Sequence, residues 1–150
     1  MAKHSAAVRI SKEVYAAERK ALRAYAQRSG LRFKATGFDL WYAVVDSAKD
    51  RCGKRFPRAG ETVGVDCDIR NLKGEIIYGT DQNRSRQIKL DGQGFIYGLN
   101  EGIKLLKVGD SAIFLIPSHM AFGFRGDGDR IAPNTPLVVH LKLKQISNSP

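Results

Sequence analysis

Gly94-Phe95-Ile96-Tyr97-Gly98-Leu99-Asn100-Glu101-Gly102-Ile103-Lys104-Leu105-Leu106-Lys107-Val108-Gly109-Asp110 opens the stretch that decides the fold. Its spacing predicts a short amphipathic helix over residues 98–107, with Leu99, Ile103 and Leu106 inward and Leu105 beside them. A Val108-Gly109-Asp110 turn then leads into an apolar strand over residues 111–116, closed by Pro117. Phe122-Gly123-Phe124 and Ile131-Ala132-Pro133 flank a Gly/Asp-rich loop. The last strand, residues 137–146, alternates Leu137, Val139, Leu141 and Leu143 with Val138, His140, Lys142 and Lys144, the period of a half-buried strand. This order builds a concave apolar pocket.

Working outward, residues 63–70 alternate Val63, Val65, Cys67 and Ile69 with Gly64, Asp66, Asp68 and Arg70, which predicts an antiparallel strand with one solvated face. Asn71-Leu72-Lys73-Gly74 turns the chain, residues 75–78 pair back, and residues 86–90 form a further short strand. Residues 38–45 read as a strand from their aromatic and β-branched content. Residues 10–29 read as a helix, with Ile10, Val14, Ala17, Ala21, Leu22 and Tyr25 recurring at steps of three and four. Ser11 is its expected N-cap and Gly30 its stop. The apolar stripe is thin and alanine-rich, suited to docking on another surface; self-association is the alternative use. Strands with one internal helix and no repeating βα units indicate an α+β fold with an antiparallel sheet. The expected division is a basic helical extension over residues 1–37 and a domain over 38–150.

Charge is unevenly spread. Residues 1–60 carry 14 Lys/Arg against 5 Asp/Glu, a net of +9, and residues 61–150 carry 11 against 10, a net of +1. The basic character therefore belongs to the extension. Aromatic side chains are not interleaved with the basic positions of the helix, so nucleic acid is not an expected partner. No run approaches the ~20 apolar residues of a membrane span. The first residues, Met1-Ala2-Lys3-His4-Ser5-Ala6-Ala7, lack the apolar run of a secretory signal. Cys52 and Cys67 fit no CxxC pattern, and Cys67 within a strand reads as a free thiol.

Motifs for polar chemistry are missing. His4, His119 and His140 are isolated and have no metal-ligand spacing. Asp127-Gly128-Asp129 lacks the glycine and distal glutamate of a calcium loop and reads as a turn. Gly92-Gln93-Gly94 lacks the third glycine of a dinucleotide site. Ser111, Ser118 and the cysteines have no base nearby in sequence. Neither a metal nor a cofactor is expected. What remains is an apolar pocket, which spacing alone does not separate from a core.

The stretch 56–146 resembles FKBP-type peptidyl-prolyl cis-trans isomerases. The likeness rests on Phe56-Pro57-Arg58-Ala59-Gly60-Glu61-Thr62-Val63, Gly74, the 95–102 segment, Val108-Gly109, Ile116-Pro117, Phe122-Gly123, Ile131-Ala132-Pro133-Asn134 and Leu137. These landmarks are specific as a set. They imply a twisted antiparallel sheet wrapped around a short α-helix, preceded here by an extra strand and the helical extension. The activity implied is cis–trans isomerisation of X-Pro bonds in folding or envelope proteins, without acid/base or covalent chemistry. Proline-containing polypeptides are the implied partners.

By the same likeness, Phe95 and Ile96 line the pocket, and the Ile96 backbone N–H donates to the substrate carbonyl. Leu99 is the floor, where the family often has tryptophan. Phe122 and Ile131 are walls from the loop, and Ile77, Ile88 and Val139 complete the lining. Several positions depart from the family pattern: Ile77, Arg86, Ile88 and Val139 stand where the family has aromatic residues. Cys67 replaces a pocket tyrosine, Tyr78 replaces an aspartate, and Phe122 replaces the loop tyrosine that donates to ligands. Ile96, Phe122, Tyr78 and Cys67 are thus the candidate catalytic positions. The departures imply weak isomerase activity and a macrolide ligand bound at reduced affinity. The alternative is an FKBP-fold chaperone or protein-binding module with little or no turnover.

Gly74-Glu75-Ile76-Ile77-Tyr78-Gly79, the 102–107 segment and Phe122-Gly123-Phe124-Arg125-Gly126-Asp127 are similar to a narrower group, the gliding-motility-associated FKBP-type proteins of Bacteroidota. That likeness implies a cell-envelope or periplasmic setting, with this chain a fragment freed of a lipid anchor; the sequence is also compatible with the cytoplasm.

Overall fold

A computed structural model describes residues 2–36, 39–47, 54–79, 86–92 and 96–147, excepting the side chains of residues 2–11 and Phe124. The elements in chain order are α1 (Ala2–Ser29), β1 (Lys34–Ala35), β2 (Trp41–Asp46), β3 (Thr62–Arg70), β4 (Ile76–Tyr78) and β5 (Arg86–Lys89). They continue with α2 (Tyr97–Ile103), β6 (Ser111–Ile116), two 3-10 turns at Ser118–Met120 and Gly123–Arg125, and β7 (Leu137–Ser147).

Among the described residues the strands form one antiparallel sheet in the order β1-β2-β6-β7-β3-β4. β7 runs the full length of one edge of β3, from Thr62↔Ser147 to Arg70↔Val138. The other edge of β3 is shared, with Thr62 to Val65 paired to β5 and Ile69 to Arg70 paired to β4. The period-two pattern of β3 decides which side faces in: Val63, Val65, Cys67 and Ile69 are buried, whereas Asp66, Asp68 and Arg70 are half-exposed.

The sheet packs against α2 on its inner face. Gly98 and Gly102 lie four apart, on one side of the helix, and let its backbone approach β6. A Cβ at Gly102 would come within 2.6 Å of the Phe114 ring, and one at Gly98 within 2.9 Å of Ile116. Glycine is required at both for close approach. Leu99, Ile103, Leu106, Phe114, Ile116, Leu137 and Leu143 are wholly buried in this core. A second cluster lies on the outer face, where Leu22 of α1 is buried with Ile113, Leu115 and Val138, flanked by Tyr25, Ala26, Phe33, Trp41 and Leu72.

Three element boundaries differ from expectation by more than one residue. Helix α1 begins at Ala2 and runs through Ser11, so Ser11 is not its N-cap. The segment 2–9 contains no glycine or proline, and its alanines favour continuation of the helix. Gly30 does stop it, with φ +73°. Helix α2 ends at Ile103, four residues short of expectation, because Leu105 N–H bonds Gly102 O at 3.0 Å and Leu106 N–H bonds Ile103 O at 3.1 Å. These i→i+3 bonds tighten the last turn and carry Leu106 into the core. The first long strand begins at Trp41. Just before it, Asp39 has φ +61°, and Thr36 donates both its N–H (2.9 Å) and its hydroxyl (2.8 Å) to Leu40 O.

Candidate active site

Helix α2 sets the base of the site. Ile96 is its N-cap, in extended geometry (φ −75°, ψ 120°), and no side chain caps the helix. Its carbonyl accepts the Leu99 N–H at 3.0 Å. Among the described residues none accepts the Ile96 N–H. That donor and a fully buried Leu99 side chain one turn on stand at the same helix end.

Nine of the ten candidate positions fall in one hydrophobic cluster. Ile88, Ile96, Leu99, Ile131, Val139 and Cys67 are buried in it, and Ile77, Tyr78 and Phe122 are half-buried against it. Phe95 lies outside the described residues. The split follows from topology. Leu99 and Val139 point into the sheet–helix interface, whereas Ile77 and Tyr78 sit on the short strand β4 and Phe122 on the loop after β6. Ile77, Tyr78 and Phe122 are thus the accessible members of the cluster, above buried aliphatic side chains. Cys67 is buried on β3 as a free thiol, and burial raises its pKa, outweighing the opposite pull of Arg86. A raised pKa disfavours the thiolate form that a nucleophilic cysteine needs. Cys52 lies outside the described residues.

The Gly/Asp-rich loop is a turn built around Asp127. Its Oδ1 accepts the N–H of Asp129 at 2.9 Å and of Ile131 at 2.8 Å. Its own N–H donates to Ile131 O at 3.0 Å. Gly126 has φ +67°, and a Cβ there would come within 2.2 Å of Ile131 O, so only glycine admits this closure. Ile131 is thereby fixed as a buried wall.

The loop is also bound to β4. The Tyr78 hydroxyl donates to Asp127 Oδ2. Arg130 donates to Ile77 O at 3.1 Å, and its guanidinium lies 5.1 Å from the Tyr78 ring centroid. The hydrogen bond raises the tyrosine pKa and, with the backbone donors of Ile131 and Asp129, lowers that of Asp127. Tyr78 therefore stays protonated, its hydroxyl engaged with the loop. Sequence reasoning read Asp127 only as a turn residue and did not single out Arg130. A usable signal was present: a half-buried tyrosine hydroxyl needs an acceptor, and the facing loop carries two acids, Asp127 and Asp129.

Among the described residues no His/Cys/Asp/Glu group has the arrangement of a metal site. The arrangement offers half-buried apolar side chains over a buried aliphatic cluster, a backbone donor and a loop bound to the neighbouring strand.

Residues 53–144 match the family model described as FKBP-type peptidyl-prolyl cis-trans isomerase. The chain is 32% identical to the probable FKBP-type peptidyl-prolyl cis-trans isomerase FkpA of Neisseria meningitidis serogroup B, over 96% of this chain and 49% of that protein. It is 30% identical to FkpA of Escherichia coli K12, over 84% of this chain and 44% of that one. The chain thus spans about half the length of the curated relatives it matches. A crystal structure of a peptidyl-prolyl cis-trans isomerase from Pseudomonas syringae pv. tomato superposes with a TM-score of 0.76 at 25% identity, covering 92% of this chain and 96% of that one. The crystal structure of FkpA from Escherichia coli gives 0.75 at 26%, covering 99% and 67%.

Proposed function

The chain belongs to the FKBP-type peptidyl-prolyl cis-trans isomerase family, and we propose that it catalyses cis–trans isomerisation of X-Pro bonds in proline-containing polypeptides at the site between β4, α2 and the 118–133 loop. The barrier to this rotation, ~18–20 kcal/mol, comes from amide resonance. Water strengthens that resonance by hydrogen bonding to the carbonyl. In this reading the proline ring sits on the aliphatic floor against Phe122 and Ile77, away from water. The Ile96 N–H holds the substrate chain while the bond turns, and the fixed walls fit the twisted form better than the planar one. No proton moves and no covalent bond forms.

The observation that carries this reading is the Ile96 N–H, without an acceptor among the described residues, at the edge of a cluster whose accessible members are Ile77, Tyr78 and Phe122. The test is exchange NMR on short X-Pro-Phe peptides. Phe122→Asp, in a protein that keeps its fold, is expected to lower kcat/KM by about 10²-fold, the scale of a misplaced site. Interconversion at the uncatalysed rate for every peptide would sink the isomerase reading.

A second reading has its own support. Phe122 carries no hydroxyl and that of Tyr78 is engaged by Asp127, so neither residue offers a free donor for a ligand. A protein-binding or chaperone module with little turnover fits that arrangement, and so does reduced macrolide affinity. Binding of an unfolded proline-containing chain without catalysis would favour it. The proposed setting is the cell envelope, on the likeness to the gliding-motility-associated group; among the described residues no helix is long and apolar enough to cross a membrane.

A further inference from the structure

Glu18 is one of two buried charged side chains among the described residues, 6% exposed on α1, outside the segment that carries the family match. Its two carboxylate oxygens grip a single residue 100 positions away. Oε1 accepts the Ser118 N–H at 2.7 Å, and Oε2 accepts the Ser118 hydroxyl at 2.5 Å. Ser118 is itself 1% exposed. Such paired, charge-assisted bonds fix orientation as well as distance.

Neighbours on α1 converge on the same corner. Tyr15 meets the His119 ring edge-on at 5.2 Å, and Arg19 bonds Asp39 at 2.8 Å, which in turn lies 3.7 Å from His119. Positions 15, 18 and 19 share one helix face, so a single turn of α1 holds the start of the loop.

Ser118 opens the 3-10 turn that leads straight to the site. Met120 N–H bonds Pro117 O at 3.0 Å and Ala121 N–H bonds Ser118 O at 2.9 Å. Met120 is buried, and a Cβ on Gly98 of α2 would lie 3.3 Å from its carbonyl oxygen. Gly98 is two residues after Ile96, and Phe122 is two after Met120. The turn fixed by Glu18 thus touches the base of the site on one side and carries its wall on the other.

We propose that Glu18 is a positioning residue: through Ser118, helix α1 sets the seat of Met120 and the angle of the Phe122 wall. The effect on catalysis rests on the isomerase reading; the ordering of the loop does not. The chain has two methionines, Met1 and Met120, so methyl-labelled methionine supplies one reporter inside the corner. In the full chain, Glu18→Ala is expected to shift or broaden the Met120 methyl signal and lower kcat/KM roughly tenfold, short of the ~10²-fold of a 1 Å misplacement. The loss should fall on kcat more than on KM. Ser118→Ala and Glu18→Gln, which each keep part of the grip, should lie between. The double variant Glu18→Ala/Ser118→Ala should be no worse than Glu18→Ala alone, the non-additivity of a shared contact. An unchanged Met120 signal in folded Glu18→Ala would overturn the proposal, as would additive effects in the pair. If Glu18→Ala does not fold, the two conservative variants decide by the same signal. An inactive wild-type protein overturns the isomerase reading, and Met120 still decides the role of Glu18.

Discussion

The two faces of the sheet are held by different physics. The inner face meets α2 through wholly buried aliphatic and aromatic side chains and two glycines that bring helix and strand backbones together. The outer face meets α1 through one buried leucine, a fringe of half-buried residues and a few polar contacts, Glu18–Ser118 foremost. Shape fills the first interface, and breaking it costs the fold. Individual bonds define the second, so it can loosen while the sheet persists. The candidate site lies where the two meet, with its floor from the inner packing and its loop wall anchored from the outer side.

Leu99→Ala attacks the inner face and carries the largest expected effect. The cavity left in the inner core should cost about 2–5 kcal/mol, read as a lower urea midpoint with the slope unchanged. Leu22→Ala attacks the outer face at a residue nearly as buried, 4% exposed. Because α1 buries one leucine in this cluster and can settle into the gap, its cost should fall near ~2 kcal/mol, the low end of that range. Hydrogen exchange should show the difference: protection lost over residues 12–29 alone, with β3, β6 and β7 unaffected. Simultaneous loss in helix and sheet would mean that the two faces form one cooperative unit.

The smallest effect is a titration on the outer face. His140 stands opposite Asp68 and Ile113 on the flanking strands, and its Nε2 is buried without a hydrogen-bond partner. Burial, and then the Arg70 guanidinium, lower its pKa from 6.5, against the weaker opposite pull of Asp68. The unfolded chain therefore takes up the proton first. The histidine's contribution to stability is fully present above pH 6.5 and is lost as the pH falls through the lower folded value. Comparing urea midpoints at pH 7.5 and 5.5 for wild type and His140→Leu isolates this contribution. The variant should show a smaller drop on acidification, and equal drops would remove His140 from the acid response.

Much of the fold was legible because its signals are local. Alternation in β3 and β7 requires nothing beyond one-sided burial; the apolar spacing of Leu99, Ile103 and Leu106 and the Val108-Gly109-Asp110 turn are equally local. Strand β1 was not legible, since Lys34 and Ala35 owe their state to pairing with Tyr42 and Trp41. The early end of α2 was also hidden, because burial of Leu106 tightens the turn. In the site, the family landmarks pointed to the residues that cluster. The partnership of Tyr78 with Asp127 is a contact between residues 49 apart in sequence, and no periodicity encodes it.

The sequence by itself determined the α+β class, the inward residues of the long strands, the absence of polar catalytic motifs and the family likeness, all of which follow from residue type and short-range order. Tertiary structure alone decided that α1 packs on the outer face of this chain's own sheet, that Glu18 grips Ser118, and that Arg130 and Asp127 bind the loop to β4. The reason is physical. Burial and period are properties of a segment, whereas a hydrogen bond across 49 or 100 residues exists only once the chain has closed the intervening loops and brought donor and acceptor within 3 Å of each other.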